Sequence, residues 1–301
     1  MIFCIGEILL DVYAASSKEG LAMTGKVGGA SFNVAANLCL NGKKAGFYGV
    51  IGADPFGKYL KNTANPLPFS YLRLDERKGK RTTLAMVTLE NGERSFSFLR
   101  DGAADYLFKE PALEDIAIEE RDILCLGSLM LSKKEGRAFF KKAASSFKKK
   151  GALIAFDVNH REGLFKDEKE AFLSYMECVP LVDILKASEE ELFLLSHGDV
   201  HSFARFFLKR GKLMLVSKGK KGSEVYFLND KNVVSKTSAS AKETKALDTT
   251  GAGDAFFAMT LSLLDGKDIS KLDEEYLHSL LVAANEVGAK AITFKGALQA
   301  F

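Results

Sequence analysis

Apolar runs alternate with amphipathic stretches along most of this chain. Ile2–Leu10 is apolar except at Glu7 and reads as a buried strand that ends at the acidic Asp11. The pair Gly28-Gly29 precedes helical spacing from Ser31 to Leu40, and Gly42 follows as a stop. Ala45–Gly52 reads as the next strand. Asp54-Pro55-Phe56-Gly57 then opens a second helix, with an N-cap and a proline at the first helical position. From Thr82 to Phe98 the character changes. Thr83–Leu89 is β-rich, Asn91-Gly92 supplies a tight turn, and Arg94–Leu99 runs back as an alternating strand. This predicts a hairpin with no helix between its strands. The alternation then resumes. Ile123–Leu126, Leu153–Asp157, Ile184–Lys186 and Met214–Ser217 read as strands, with helical spacing between them, as at Glu135–Lys148. A further hairpin joins Ser223–Phe227 to Val233–Lys236 through Asn229-Asp230. Helices follow from Asp248 through Leu264 and over about Leu277–Ala291.

Strand–helix alternation of this kind implies an α/β fold. The expected architecture is a doubly wound, mostly parallel sheet flanked by helices, with a small antiparallel β flap. Ligands of such sheets bind at the carboxyl ends of the strands. No internal repeat or low-complexity linker divides the 301 residues, so one domain over 1–301 is expected. A chain of this length buries roughly 75% of its unfolded surface and needs no staples.

Composition narrows the function classes. Hydrophobic residues are 47% and charged residues 27%, which excludes a disordered or collagen-like chain. The net charge of +3 is too small for a nucleic-acid or membrane-surface protein. Of the two basic runs, Lys148-Lys149-Lys150 ends a helical pattern, where cations suit the dipole. Cys4, Cys39, Cys125 and Cys178 match no zinc or haem spacing and read as reduced core thiols of a cytoplasmic protein. No run of 18 apolar residues exists to span a membrane. Glu7 and Asp11 inside the first apolar run argue against a signal peptide.

The sharpest candidate chemistry is Asp248-Thr249-Thr250-Gly251-Ala252-Gly253-Asp254-Ala255-Phe256. Small residues opening an apolar helix leave backbone N–H groups converging on an anion. Asp254 in the first turn would accept a proton from a hydroxyl beside that anion, which suggests phosphoryl transfer to an alcohol. The alternative is a glycine-rich turn in which Asp254 only complements the helix dipole. Gly28-Gly29-Ala30-Ser31-Phe32-Asn33 is a second glycine pair opening a helix, able to bring backbone against a polyol or to cap the helix. Asp11 would chelate vicinal hydroxyls, or serve as a turn residue.

The run Asp248–Phe256 resembles the C-terminal signature of the ribokinase-like (PfkB) carbohydrate kinases. Gly28-Gly29-x-x-x-Asn33-Val34-Ala35 is similar to their N-terminal signature, and Gly49-Val50-Ile51-Gly52-x-Asp54-x-Phe56-Gly57 fits the segment that follows it. The resemblance runs from Ile5 to about Ala300. Gly6-Glu7-x-Leu9-Leu10-Asp11, Glu93–Asp105, Leu126-Gly127-Ser128-Leu129, Phe156-Asp157-x-Asn159-x-Arg161 and Ile184–Leu192 resemble fructokinase blocks. Two positions depart from those blocks: Leu99, where fructokinases carry an aromatic residue, and Val158, where they carry proline. Val158 also looks like aminoimidazole riboside kinase. Both departures are expected to touch substrate identity.

The resemblance implies an ATP-dependent sugar kinase, with fructose as the expected substrate. The alternatives are aminoimidazole riboside, 2-keto-3-deoxygluconate or ribose. Asp254 would be the catalytic base, with Gly251, Ala252 and Gly253 as the anion hole. Asp11, Gly28, Gly29 and Asn33 match sugar-contacting positions. Arg100 and Arg161 would contact the sugar or a phosphate, or else form surface ion pairs. Ser217-Lys218-Gly219-x-x-Gly222 resembles the nucleotide loop, and Ser188 and Asn285 match positions bordering the nucleotide. Asp248, Thr250, Ala291, Phe294, Gly296 and Ala300 match the positions of a monovalent cation site, which makes potassium an expected activator. Magnesium is expected with ATP. A lid formed by about 12–27 and 82–100 would close over the sugar, and its exposed edges suggest a homodimer. A non-catalytic binding protein of this family would have lost the base or the anion hole, and here both are intact.

Overall fold

Strand β1 (Ile2–Ile5) lies fully buried inside a nine-stranded sheet, between the strands that precede and follow the hairpin region. The coordinates are a computed structural model and describe residues 1–17, 20–90, 93–294 and 296–298. In chain order β2 (Leu9–Ser17) and β3 (Gly20–Gly28) follow, then α1 (Ala30–Leu40), β4 (Ala45–Gly52), α2 (Pro55–Ala64) and β5 (Tyr71–Arg77). Strands β6 (Leu84–Glu90), β7 (Glu93–Leu99) and β8 (Ile123–Leu126) lead to α3 (Lys134–Lys148), β9 (Leu153–Asp157) and α4 (Glu168–Met176). Then come β10 (Ile184–Ser188), α5 (Glu189–Ser196), α6 (Val200–Phe207), β11 (Leu213–Ser217), β12 (Ser223–Leu228) and β13 (Val234–Ala239), closed by α7 (Ala252–Leu264) and α8 (Glu274–Ala291).

The large sheet has the order β13-β12-β11-β10-β9-β8-β1-β4-β5. Its pairs from β11 to β5 are parallel, and β12 and β13 add an antiparallel edge. Strand alternation sends Phe3 and Ile5 to one face, packed against α3 to α6, and Ile2 and Cys4 to the other, packed against α1, α2, α7 and α8. All four cysteines are free and buried. Among the described residues no helix is long and apolar enough to cross a membrane. The chain extends the sheet from β1 in one direction through β4 and β5, and in the other through β8 to β11. The carboxyl ends of β1 and β8 therefore flank the point where strand order reverses, which is where open α/β sheets place their ligands.

A second sheet, β3-β2-β6-β7, is two antiparallel hairpins joined by parallel pairing of β2 with β6. Here the structure corrects the sequence reading. Ile2–Leu10 is two strands, not one. The chain leaves the large sheet after Ile5 and enters the small one at Leu9, so Asp11 lies inside β2 rather than at a strand end. The Asn91-Gly92 turn and Ala300 lie outside the described residues. The helix expected from Asp248 starts at Ala252, because Gly251 adopts φ +79° and breaks the helical path.

Candidate active site

Gly251 is the N-cap of α7, and its left-handed backbone suits glycine. A Cβ there would also stand 2.6 Å from Ala297. The turn therefore presses the start of α7 against the segment that follows α8. Asp254 follows in the first turn of that helix and is buried. Its Oδ2 accepts a hydrogen bond from Asn33 Nδ2 of α1 at 2.8 Å. Only the amide nitrogen of Asn33 can face a carboxylate, so this contact fixes which way the amide points. Burial pushes the Asp254 carboxyl above its ordinary range, against the opposing pull of Asn33, Lys186 and Arg161.

Gly29 holds φ +106°, and a Cβ on it would stand 2.6 Å from the Glu7 carbonyl. Gly28 sits opposite the Asp11 carboxylate, where any side chain would collide. The pair thus lets β3 and α1 close tightly on Glu7 and Asp11. Glu7 is fully buried and accepts hydrogen bonds from Ser31 N and Ser31 Oγ, each at 3.1 Å. Its burial raises its carboxyl too.

Glu7, Asp11, Gly29, Asn33, Gly251 and Asp254 line one cleft of about 270 Å³, which Gly28 does not reach. That lies just under the roughly 300–1,000 Å³ of typical small-molecule sites, which is room for a small ligand and not a polymer. Of the residues expected from sequence, the cleft brings together Asp11, Gly29, Asn33, Arg161, Thr250, Gly251, Gly253 and Asp254. The small sheet contributes Leu9, Ala85 and Phe98 as its apolar wall.

Arg100 is not among them. Its Nε donates to Asp105 Oδ2 at 2.8 Å, and its other nitrogens donate to Ser132 Oγ and the Leu129 carbonyl. Its side chain is 6% exposed and that of Asp105 1%, so the pair is a buried brace and not the surface pair that sequence offered as the alternative. The two departures also lie off the cleft. Val158 is fully buried in the core. Leu99 is 56% exposed, while its neighbour Phe98 points inward, as strand alternation requires.

The positions expected for the nucleotide gather at the carboxyl ends of β10 and β11. Ser188 caps α5 in a reciprocal capping box with Glu191. Ser217 Oγ donates to the Ala187 carbonyl at 3.5 Å. Gly219 and Gly222 both hold positive φ in the turn after β11, while Lys218 of that turn pairs with Glu224 at 3.1 Å. Asn285 has its amide engaged elsewhere. It donates to the Ala239 carbonyl at 2.9 Å and accepts from Ser223 Oγ at 2.9 Å, tying α8 to β12 and β13.

Asp248 joins the two loops at the expected cation site. It accepts from Thr250 N at 2.8 Å and from Gly296 N at 3.1 Å. Ala291 ends α8 and is buried, and Phe294 is 46% exposed in the loop beyond it. Thr250 Oγ1 is buried without a hydrogen-bond partner among the described residues.

Sequence reasoning did not single out Glu7, Asn159 or Lys186 as site residues, yet all three line the cleft. Lys186 had a signal: it is the one charge in the apolar strand Ile184–Ala187, and a buried ammonium needs an acid beside it.

A match to the model of the pfkB family carbohydrate kinases covers residues 1–299. The chain is 34% identical over 313 aligned positions to probable fructokinase-7 of Arabidopsis thaliana, covering 100% of this chain and 89% of that protein. Among solved structures, fructokinase from Xylella fastidiosa with bound ATP superposes with a TM-score of 0.84 at 27% identity, covering 100% of this chain and 94% of that one. A fructokinase double mutant from Vibrio cholerae O395, with fructose, ADP and potassium bound, gives 0.82 at 29% identity, covering 99% and 94%. Fold, signature geometry and full-length similarity agree: the chain belongs to the pfkB family of carbohydrate kinases and is an ATP-dependent sugar kinase.

Proposed function

We propose that the protein transfers the γ-phosphoryl group of ATP to a hydroxyl of fructose. The observation that carries the reading is the placement of Asp254. One buried carboxylate sits in the first turn of α7, within the anion-binding start of the helix, and faces a cleft that also holds Asp11, Gly29 and Asn33. Relatives named fructokinases, similar over their whole length, support fructose as the acceptor.

In this reading Asp254 takes the proton of the attacking hydroxyl as its oxygen bonds to the γ-phosphorus. The bond from that phosphorus to the bridging oxygen breaks, and ADP leaves with the electron pair. The backbone at Gly251, Ala252 and Gly253 holds the transferring group, and the helix dipole opposes its charge. The small sheet acts as the lid. Leu9, Ala85 and Phe98 cover the sugar and exclude water, which limits ATP hydrolysis. Arg161 reaches the sugar from the loop after β9. Ser188, Ser217, Gly219 and Gly222 form the nucleotide side, which Asn285 braces.

Among the described residues no group of three or more His, Cys, Asp or Glu is arranged to hold a metal. Magnesium dehydrates reluctantly, so the ion that accompanies ATP would be held mostly by phosphates and water, neutralising phosphate charge. A potassium ion fits better as a resident. Thr250 Oγ1 offers a buried lone pair without a partner among the described residues, next to the Asp248 carboxylate. Edge strand β3 exposes Leu21 and Met23 at 59% and 58%, which supports a homodimer that covers them. Four buried free thiols support a cytoplasmic location.

The test is ADP release from MgATP over a panel of fructose, ribose, aminoimidazole riboside and 2-keto-3-deoxygluconate, with and without potassium. Fructose should lead, and potassium should raise its rate. Turnover led by another member would move the substrate and keep the kinase.

A pH profile checks the base. Only ionised Asp254 can accept the proton, and burial raises its pKa. The acid limb of kcat/KM should therefore lie above the roughly 3.5–4.5 range of ordinary carboxylates. A rate that stays flat down to that range would exclude Asp254 as the base.

A further inference from the structure

Asp157 and Lys186 are register partners on the parallel strands β9 and β10, so their side chains emerge side by side on the same face. Lys186 Nζ donates to Asp157 Oδ2 at 2.6 Å. The two side chains are 7% and 9% exposed. Burying an ammonium and a carboxylate so completely is expensive, and one hydrogen bond between them leaves the geometry incomplete. Asp157 Oδ1 has no partner among the described residues. An ammonium carries three donors, and the bond to Asp157 engages one of them.

The place that the ammonium points to gives the pair a use. A Cβ built on Gly253 would stand 3.2 Å from Lys186 Nζ. Because residue 253 lacks a side chain, the ammonium comes up against the start of α7. Lys186 lines the same cleft as Gly251, Gly253 and Asp254. That corner has an electrostatic problem that the helix dipole alone does not solve. A phosphoryl group lodged in the turn brings several negative oxygens next to the Asp254 carboxylate. The dipole contributes roughly half a positive charge there, and the ammonium adds a cation with free donors, whose charge the Asp157 carboxylate offsets only in part because it lies on the far side of the contact with Gly253.

We infer that Lys186 is a phosphate-binding residue of this site: Asp157 holds its ammonium against Gly253, where it takes an oxygen of the phosphoryl group that the start of α7 cradles. The inference rests on the phosphoryl-transfer reading above and adds a named cation to it. Lys186 contacts the transferring group, and Asp157 is its positioning residue. A purely structural ion pair would occupy the same two positions, so the test must read something that packing alone does not change.

The readout is the ratio of ATP to ADP affinity, measured by calorimetry in the absence of sugar. The two nucleotides differ by the γ-phosphoryl group. Lys186→Met should weaken ATP by ~10-fold or more and leave ADP nearly unchanged. In turnover the same variant should lose at least ~10²-fold in kcat, with little change in sugar KM. Asp157→Asn keeps an acceptor beside the ammonium and should lower kcat less than Lys186→Met does. Equal losses of ATP and ADP affinity, or an unchanged ratio, would overturn the inference. If Lys186→Met does not fold, Lys186→Met combined with Asp157→Leu removes both buried charges, and the same ratio is read on it. The ratio needs no sugar. A wild-type protein that phosphorylates no sugar, yet discriminates the nucleotides through Lys186, would sink the proposed acceptor and leave this assignment standing.

Discussion

Asp254→Asn should lower kcat by ~10²-fold to ~10⁴-fold while ATP affinity and thermal stability stay near wild type. The two halves of that expectation have different causes. The rate falls because an amide cannot accept the hydroxyl proton. The fold survives because the amide oxygen can still accept from Asn33 Nδ2, which the carboxylate does at 2.8 Å in the wild type. Burial already opposes the charge on Asp254, so a neutral isostere removes an unfavourable ion from the interior. A residue placed for stability would behave in the opposite way. Stopped-flow or coupled ADP release, together with a melting curve, decides the matter. Retention of tens of per cent of wild-type turnover would remove Asp254 from the chemistry.

Arg100→Met should be the largest stability defect outside the site. The guanidinium is shared between Asp105, Ser132 and the Leu129 carbonyl, and it also stacks over Tyr106 at 5.4 Å. Removing it leaves the Asp105 carboxylate buried and uncompensated, at a cost of about 3–5 kcal/mol. Urea unfolding should show that loss, and the sugar KM of the folded fraction should not change. A stable variant with a weakened sugar KM would return Arg100 to the substrate, as the sequence alone suggested. Leu129 itself lines the cleft and its carbonyl accepts from Arg100, so the brace lies one residue contact behind the pocket.

Local signals carried the fold where burial was uniform. Ala45–Gly52 is buried throughout, and its apolar run marks both ends of the strand. The start of α2 follows from Asp54, whose side chain accepts from Gly57 N at 2.8 Å, with Pro55 behind it. Strands that lack an apolar pattern leave no such mark in the sequence. In β3, residues 20–25 are exposed, and β5 carries Arg73, Asp75 and Arg77, which pair with one another. Glu7 reads as an interruption of an apolar run, yet it marks the place where the chain passes from one sheet to the other. The site divides in the same way. The glycine turns and Asp254 declare themselves because their chemistry is contiguous in sequence. Lys186 and Asp157 stand 29 residues apart, and only the β9–β10 register brings them together. Arg100 misleads for the converse reason: Asp105 is near in sequence, but Leu129 and Ser132 come from the segment after β8, so sequence cannot show that its donors are already engaged.

The placement of the cysteines makes the protein its own opening gauge. Cys4 and Cys125 face each other across β1 and β8, Cys39 lies in α1, and Cys178 follows α4; all are at most 3% exposed. The strands of the small sheet contain none. A thiol reagent added to the native protein can therefore react only when the main body opens, and hinge movement of the small sheet leaves no trace in its time course. Labelling kinetics followed against denaturant would give the opening free energy of the large sheet alone. Any acceleration of labelling when ligand binds would mean that binding loosens the body and does not merely shut the cleft.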